Sequence, residues 1–114
     1  MIHIVRQPAT SEQIAEMAQI FGGLFVKLAV DVRRDILAGG GELHADCEQV
    51  LLEDGSQQED IWGADWYPHT GEVGFEALLN IRPRQRNYCM EIRDPDLRSP
   101  IESILRRLME GEER

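Results

Sequence analysis

No stretch of this 114-residue chain holds the roughly 18 consecutive apolar residues that cross a bilayer as a helix. Its first residues, from Met1 to Thr10, lack the basic-then-apolar order of a secretory leader. These absences predict a soluble, cytoplasmic protein with no membrane partner. Cysteine is scarce: Cys47 and Cys89 alone cannot make a disulfide framework and read as reduced thiols in a core. Basic residues are missing from a long segment. From Asp35 to Ile81 there are eleven acidic side chains and no Lys or Arg, whereas seven of the twelve bases lie between Arg82 and Arg107. The formal charge of −9 argues against a nucleic-acid partner, whose binding rests on phosphate contacts. A solvated acidic surface balanced by a basic strand beside it accounts for this distribution. A site for a cation or a basic partner is the sharper alternative.

The apolar content, 42%, is enough for a core, and 13.0 kDa is one domain's worth of chain. The expectation is a single domain over residues 1–109, with a frayed tail over 110–114.

The periodicity predicts its elements. Residues 2–5 are β-prone. Thr10 and Gln13 have the spacing of a capping box, and Ile14, Met17, Ala18 and Phe21 form a helical stripe that Gly22 and Gly23 end. Val26, Leu28, Val30 and Val32 alternate with Lys27, Ala29 and Asp31, which predicts a half-buried strand. Residues 42–52 also alternate, with Leu43, Ala45, Cys47 and Leu51 on one side and Glu42, His44, Asp46 and Glu48 on the other. That reads as a strand closed by a turn at Asp54-Gly55. Further strands are predicted over 59–67, 73–81 and 88–92, with Pro83 interrupting the pairing. Ser99, Pro100 and Glu102 fit the start of a last helix lined by Ile101, Ile104, Leu105, Leu108 and Met109. The expected fold class is α+β, with an antiparallel sheet of four to six strands, both amphipathic helices packed on its apolar face, and the other face open and polar.

Three segments, GGGELHADCE from Gly39, LLEDGSQQEDIWGADW from Leu51 and NIRPRQRN from Asn80, carry a resemblance over nearly the whole chain. It resembles a family of small uncharacterised bacterial domains, seen in cyanobacteria among others. The resemblance implies a compact single-domain bacterial protein and carries over no catalytic residue, substrate or cofactor.

Candidate sites come from the residues. On a strand, Glu42, His44, Asp46 and Glu48 would emerge on one side, about 7 Å apart at alternate positions. With Asp31 from the preceding strand, the set Asp31, His44, Asp46 and Glu48 has the donors for a divalent metal such as Mn²⁺ or Zn²⁺. An exposed polar strand face needs no metal and explains the same residues. The His-Ala-Asp-Cys string lacks the glutamate and the paired cysteines of a zinc deaminase. Cys47 falls on the opposite strand face from His44, so no Cys–His nucleophile forms. Gly39, Gly40 and Gly41 read as a turn rather than a phosphate cradle, because a strand is expected to follow. Arg82, Arg84 and Arg86 alternate and form either an anion clamp or internal ion pairs. Trp62 and Trp66 are expected to bury against the helices.

Two functions follow. The first is a non-enzymatic binding module without a cofactor, presenting Glu42, His44, Asp46, Glu48, Arg82, Arg84 and Arg86 to a protein or small polar ligand. The second is a metal-dependent hydrolase centred on Asp31, His44, Asp46 and Glu48. Exposed sheet edges leave room for a symmetric homodimer.

Overall fold

Five strands form one antiparallel sheet in the order β1-β3-β2-β4-β5. They are β1 (His3–Val5), β2 (Val26–Asp31), β3 (Ile36–Gly39), β4 (Ile61–Tyr67) and β5 (Glu72–Gly74). Three helices join them: α1 (Ser11–Ala18), α2 (His44–Glu53) and α3 (Pro95–Met109). The structure, a computed structural model, describes residues 1–110. From residue 111 onward the expected fraying lies outside the described residues. The α+β class with an antiparallel sheet is as expected, and no helix among the described residues is long and apolar enough to cross a membrane.

The central strand shows why the sheet forms. Val26, Leu28 and Val30 of β2 project into a cluster with Trp62, Ala64 and Trp66 of β4, Met17 and Ala18 of α1, and Ile101, Leu105 and Leu108 of α3. Trp62 and Trp66 are therefore core side chains, as expected. Ala29 projects the other way and meets Ala38, Ile61, Cys47 and Leu51. The second face is not open, which corrects the expectation of a bare polar surface: α2 covers it.

That helix is also the main correction to local structure. Residues 44–53, predicted as strand, are helical. Cys47 and Leu51, four apart, are both fully buried, while Leu43 is 55% exposed and Ala45 is exposed. The burial thus follows a period of 3.6 and ignores the apparent alternation. Asp46, three residues past Leu43, accepts its N–H at 3.2 Å. Asp54-Gly55 ends this helix and is not a hairpin. Ser56 N–H bonds Leu51 O at 2.9 Å, Gly55 N–H bonds Leu52 O at 3.1 Å, and Gly55 takes φ +106°, a Schellman closure that favours glycine.

The other helices start from side-chain caps. Thr10 and Gln13 form the expected capping box on α1. The cap of α3 is Asp94, whose carboxylate accepts Asp96 N–H at 2.9 Å, with Pro95 at the first helical position. Pro100 is consequently inside α3 and not at its start.

The strand predicted over 73–81 is shortened to β5, and the one predicted over 88–92 is reduced to an isolated bridge between Glu76 and Glu91. Two tight 3-10 turns, Leu78–Asn80 and Pro83–Gln85, replace regular pairing there.

Candidate binding surface

The edge of β4 decides the shape of residues 76–91. Strand β5 pairs with β4 only at Asp65, Trp66 and Tyr67, which leaves the outward groups of Ile61 and Gly63 without a strand partner. Two side chains supply one. The Asn80 carboxamide accepts Gly63 N–H at 2.8 Å and donates to Gly63 O at 3.0 Å, standing in for the peptide group of a missing strand. Arg82 Nη2 donates to Ile61 O at 2.6 Å. An unpaired edge is a template for aggregation, and here it is closed.

The same groups brace the segment internally. Asn80 Nδ2 also donates to Phe75 O and Met90 O, each at 3.3 Å. Asn87 Nδ2 reaches Asn80 O at 2.7 Å, Cys89 O at 3.0 Å and Glu91 O at 3.1 Å. Both asparagines are buried. Glu76 bridges Glu91 and Arg82 bridges Asn87, so residues 76–91 make one irregular hairpin. Gly63 lets it sit close: a Cβ there would meet Ala77 Cβ at 2.6 Å, Leu79 Cγ at 3.4 Å and His44 Cδ2 at 3.5 Å.

This braced hairpin exposes large apolar side chains beside its polar ones. Leu78, Ile81, Tyr88 and Met90 are 75%, 43%, 72% and 40% exposed, four of the eight large exposed apolar side chains among the described residues. The backbone pairing brings them near one another. Ala77 N–H bonds Met90 O, and the Arg82–Asn87 bridge puts Ile81 opposite Tyr88.

The three arginines part ways. Arg82 is built in. It donates Nε to Leu79 O and Nη1 to Gln85 Oε1, lies with its guanidinium 4.8 Å from the Trp62 ring centroid, and stands 3.7 Å from Glu48. Burial lowers its pKa and Glu48 opposes that shift. Arg84 and Arg86 are exposed, and their side chains have no hydrogen-bond or ion-pair partner among the described residues. No clamp of all three forms, because one is consumed internally. No acidic residue occurs from Ala77 to Met90.

The acidic set disperses once α2 is a helix. Glu42 is exposed ahead of it, Asp46 caps it, and Glu48 turns toward Arg82 and Gln58. His44 Nε2 lies 2.8 Å from Asp65 Oδ1 on β4; a carboxylate only accepts, so the imidazole donates. Asp31, fully buried at the end of β2, accepts the N–H groups of Arg33 and Arg34 at 2.9 and 3.0 Å. Asp31, His44, Asp46 and Glu48 are not brought together, and no group of three His, Cys, Asp or Glu suited to a metal occurs among the described residues. Burial pushes the Cys47 thiol up to about 11, against the backbone hydrogen bond from Gly41, so it is a core group and no nucleophile.

Beside His44 the sheet face keeps a short polar end. Lys27 and Asp65 are register partners, and the Lys27 ammonium lies 5.3 Å from the Phe21 ring centroid. Phe21, Phe25 and Tyr67 stack in sequence, with centroids 4.4 and 5.5 Å apart. Burial, with Asp65 and Glu72, raises the Tyr67 phenol above its ordinary value.

Sequence reasoning missed Asn80, Asn87, Asp65 and the four exposed apolar residues. The legible signal was in NIRPRQRN, where two asparagines bracket a proline and three arginines with no acid among them. No curated protein and no solved structure matches the chain. The model of one family, described as Protein of unknown function (DUF5674), matches residues 3–108, and the chain belongs to that family.

Proposed function

We propose that the protein is a non-enzymatic binding module whose contact surface is the hairpin of residues 76–91, and that its partner is a protein segment with acidic side chains around apolar anchors. The observation that carries this reading is the exposure of Leu78, Ile81, Tyr88 and Met90 on a hairpin braced by two buried asparagines. Apolar side chains grouped on a surface raise its contact energy with a partner, and bracing lowers the ordering cost of binding. Tyrosine and arginine are also the side chains on which contact energy concentrates. Arg84 and Arg86, exposed and unpaired in an otherwise acidic chain, favour an acidic partner. The reading includes a cytoplasmic setting, supported by two unpaired thiols.

The test uses two synthetic peptides of about a dozen residues that share Leu and Phe anchors and differ in flanking Glu or Lys. The acidic peptide is expected to bind and to weaken with salt. Tyr88→Ser should lower its affinity at least about tenfold. Changing Arg84 and Arg86 to Glu should transfer the preference to the basic peptide. Equal binding of both peptides, or none, would contradict the reading. Concentration-dependent dimers abolished by the same variants would replace the acidic partner with a second copy of this chain.

A further inference from the structure

A cleft of about 490 Å³ opens between the tight turn Gln58–Asp60 and the hairpin turn Pro83–Gln85. Its size falls within the range of small-molecule sites. Gln58, Glu59, Ile81, Arg82, Arg84 and Gln85 line it. Gln85 ties one wall to the other: its Nε2 donates to Glu59 O at 2.9 Å, and its Oε1 accepts Arg82 Nη1 at 2.9 Å. Arg82 also donates to Leu79 O and Ile61 O, so its guanidinium is fixed. Arg84 differs. It is exposed, and its side chain has no partner among the described residues. Pro83 and the bond from Arg86 N–H to Pro83 O at 3.0 Å hold the backbone that carries it. A free guanidinium therefore stands on a braced turn beside Ile81, an apolar side chain that is 43% exposed.

Charge selects the ligand. Glu59 is the one acid lining the cleft, against Arg82 and Arg84, in a chain of net charge −9. The hydrogen bond to Asp60, then the charges of Asp31 and Glu59, raise the Arg33 pKa, so the Glu59 carboxylate acts on Arg33. Glu48 is the acid that acts on Arg82. One free guanidinium with a carboxylate nearby suits a monoanion, whereas a phosphoryl group would bring close to two charges.

We propose that this cleft binds a carboxylate carried next to a branched apolar group, with the Arg84 guanidinium on the carboxylate and Ile81 against the apolar group. A guanidinium forks onto a carboxylate through two parallel N–H bonds. The inference rests on the hairpin as the contact surface and deepens it: an acid of the partner lies directly beside one of its apolar anchors. Arg86, equally exposed and also without a side-chain partner among the described residues, does not line the cleft.

Three probes of nearly equal shape test this on the full chain at constant ionic strength: isovalerate, its neutral amide isovaleramide, and the cation isopentylamine. The readout is the Ile81 methyl and Gln85 side-chain amide resonances. Isovalerate is expected to shift them saturably, with a dissociation constant of about 10 mM. Isovaleramide should bind at least about five-fold more weakly, because it lacks the charge that strengthens the hydrogen bonds. Isopentylamine should leave the resonances in place. Arg84→Gln should abolish the isovalerate shift. Arg86→Gln makes the same change of charge in the same hairpin and should keep the dissociation constant within about twofold. The proposal is overturned by no saturable shift with isovalerate, by isovaleramide or isopentylamine binding as tightly, by a shift that survives Arg84→Gln, or by equal losses in the two arginine variants. Inorganic phosphate moving the same resonances at lower concentration than isovalerate would also overturn it. Failure of the cleft and failure of the hairpin reading are distinct. The acidic peptide binding at Tyr88 and Met90, with Ile81 unmoved by isovalerate, strikes the cleft and keeps the hairpin. Isovalerate binding where the peptide does not supports the cleft and removes the hairpin's partner.

Discussion

Asn80 makes both edge hydrogen bonds of Gly63 with one carboxamide, at 2.8 and 3.0 Å. A side chain of one residue thereby completes the ladder of β4 where β5 has already left the sheet. Replacing it by alanine strands a buried N–H and C=O on Gly63 and releases the carbonyls of Phe75 and Met90. Asn80→Ala is expected to cost about 2–4 kcal/mol in urea unfolding. Amide exchange should speed up at Gly63, with Ala64, which faces β2, still protected.

The split among the arginines gives a paired prediction. Arg82→Ala removes donors to Leu79 O and Ile61 O and uncovers Trp62, and should destabilise by about 2 kcal/mol. Arg84→Ala touches no internal partner and should stay within about 0.5 kcal/mol of the parent. Equal losses for both would show that Arg84 has an internal acceptor after all.

Gly63 is held by space and not by backbone conformation. A Cβ at 2.6 Å from that of Ala77 forces the hairpin away from β4. Gly63→Ala should therefore cost about 1–3 kcal/mol and raise hydrogen exchange across residues 76–91 while β1 to β3 keep theirs.

The thiols predict both a reactivity and a pH dependence. Near neutral pH, Ellman's reagent should react quickly with the half-buried Cys89 and reach the buried Cys47 only on unfolding. The folded-state pKa of Cys47, about 11, lies above the ordinary thiol value of 9.0 because burial disfavours the thiolate. The unfolded chain therefore loses that proton first. The stability tied to this thiol is complete below about pH 9 and is lost as pH rises through about 11, roughly 3 kcal/mol in all. Cys47→Ala should flatten that part of the stability curve relative to the parent.

The sequence was most legible where one physical signal stood alone. Thr10 with Gln13, and Gly22 after Phe21, carry cap and stop chemistry that tertiary contacts do not overrule. The alternation of β2 is real because both of its faces have cores to enter. Residues 42–52 misled because Leu43, Ala45, Cys47 and Leu51 satisfy a period of two while Leu43, Cys47 and Leu51, each four apart, also satisfy a helix, and the exposure of Ala45 beside the buried Cys47 and Leu51 decides between them. The cue on offer was Asp54-Gly55, which closes a helix as readily as it turns a hairpin. That one misreading created the acidic face and the metal set together. The hairpin was illegible for another reason. Asn80 and Asn87 are polar residues that fold inward, and no periodicity marks a side chain serving as backbone.

The central claim, that residues 76–91 meet the partner, is tested most directly by titrating the isotopically labelled chain with the acidic peptide and following every amide and methyl resonance. The account predicts saturable shifts at Leu78, Ile81, Arg84, Arg86, Tyr88 and Met90, with the buried Asn80 side-chain amide still protected from exchange. Shifts centred instead on Glu42 and Asp46, or no shifts at all, would contradict it.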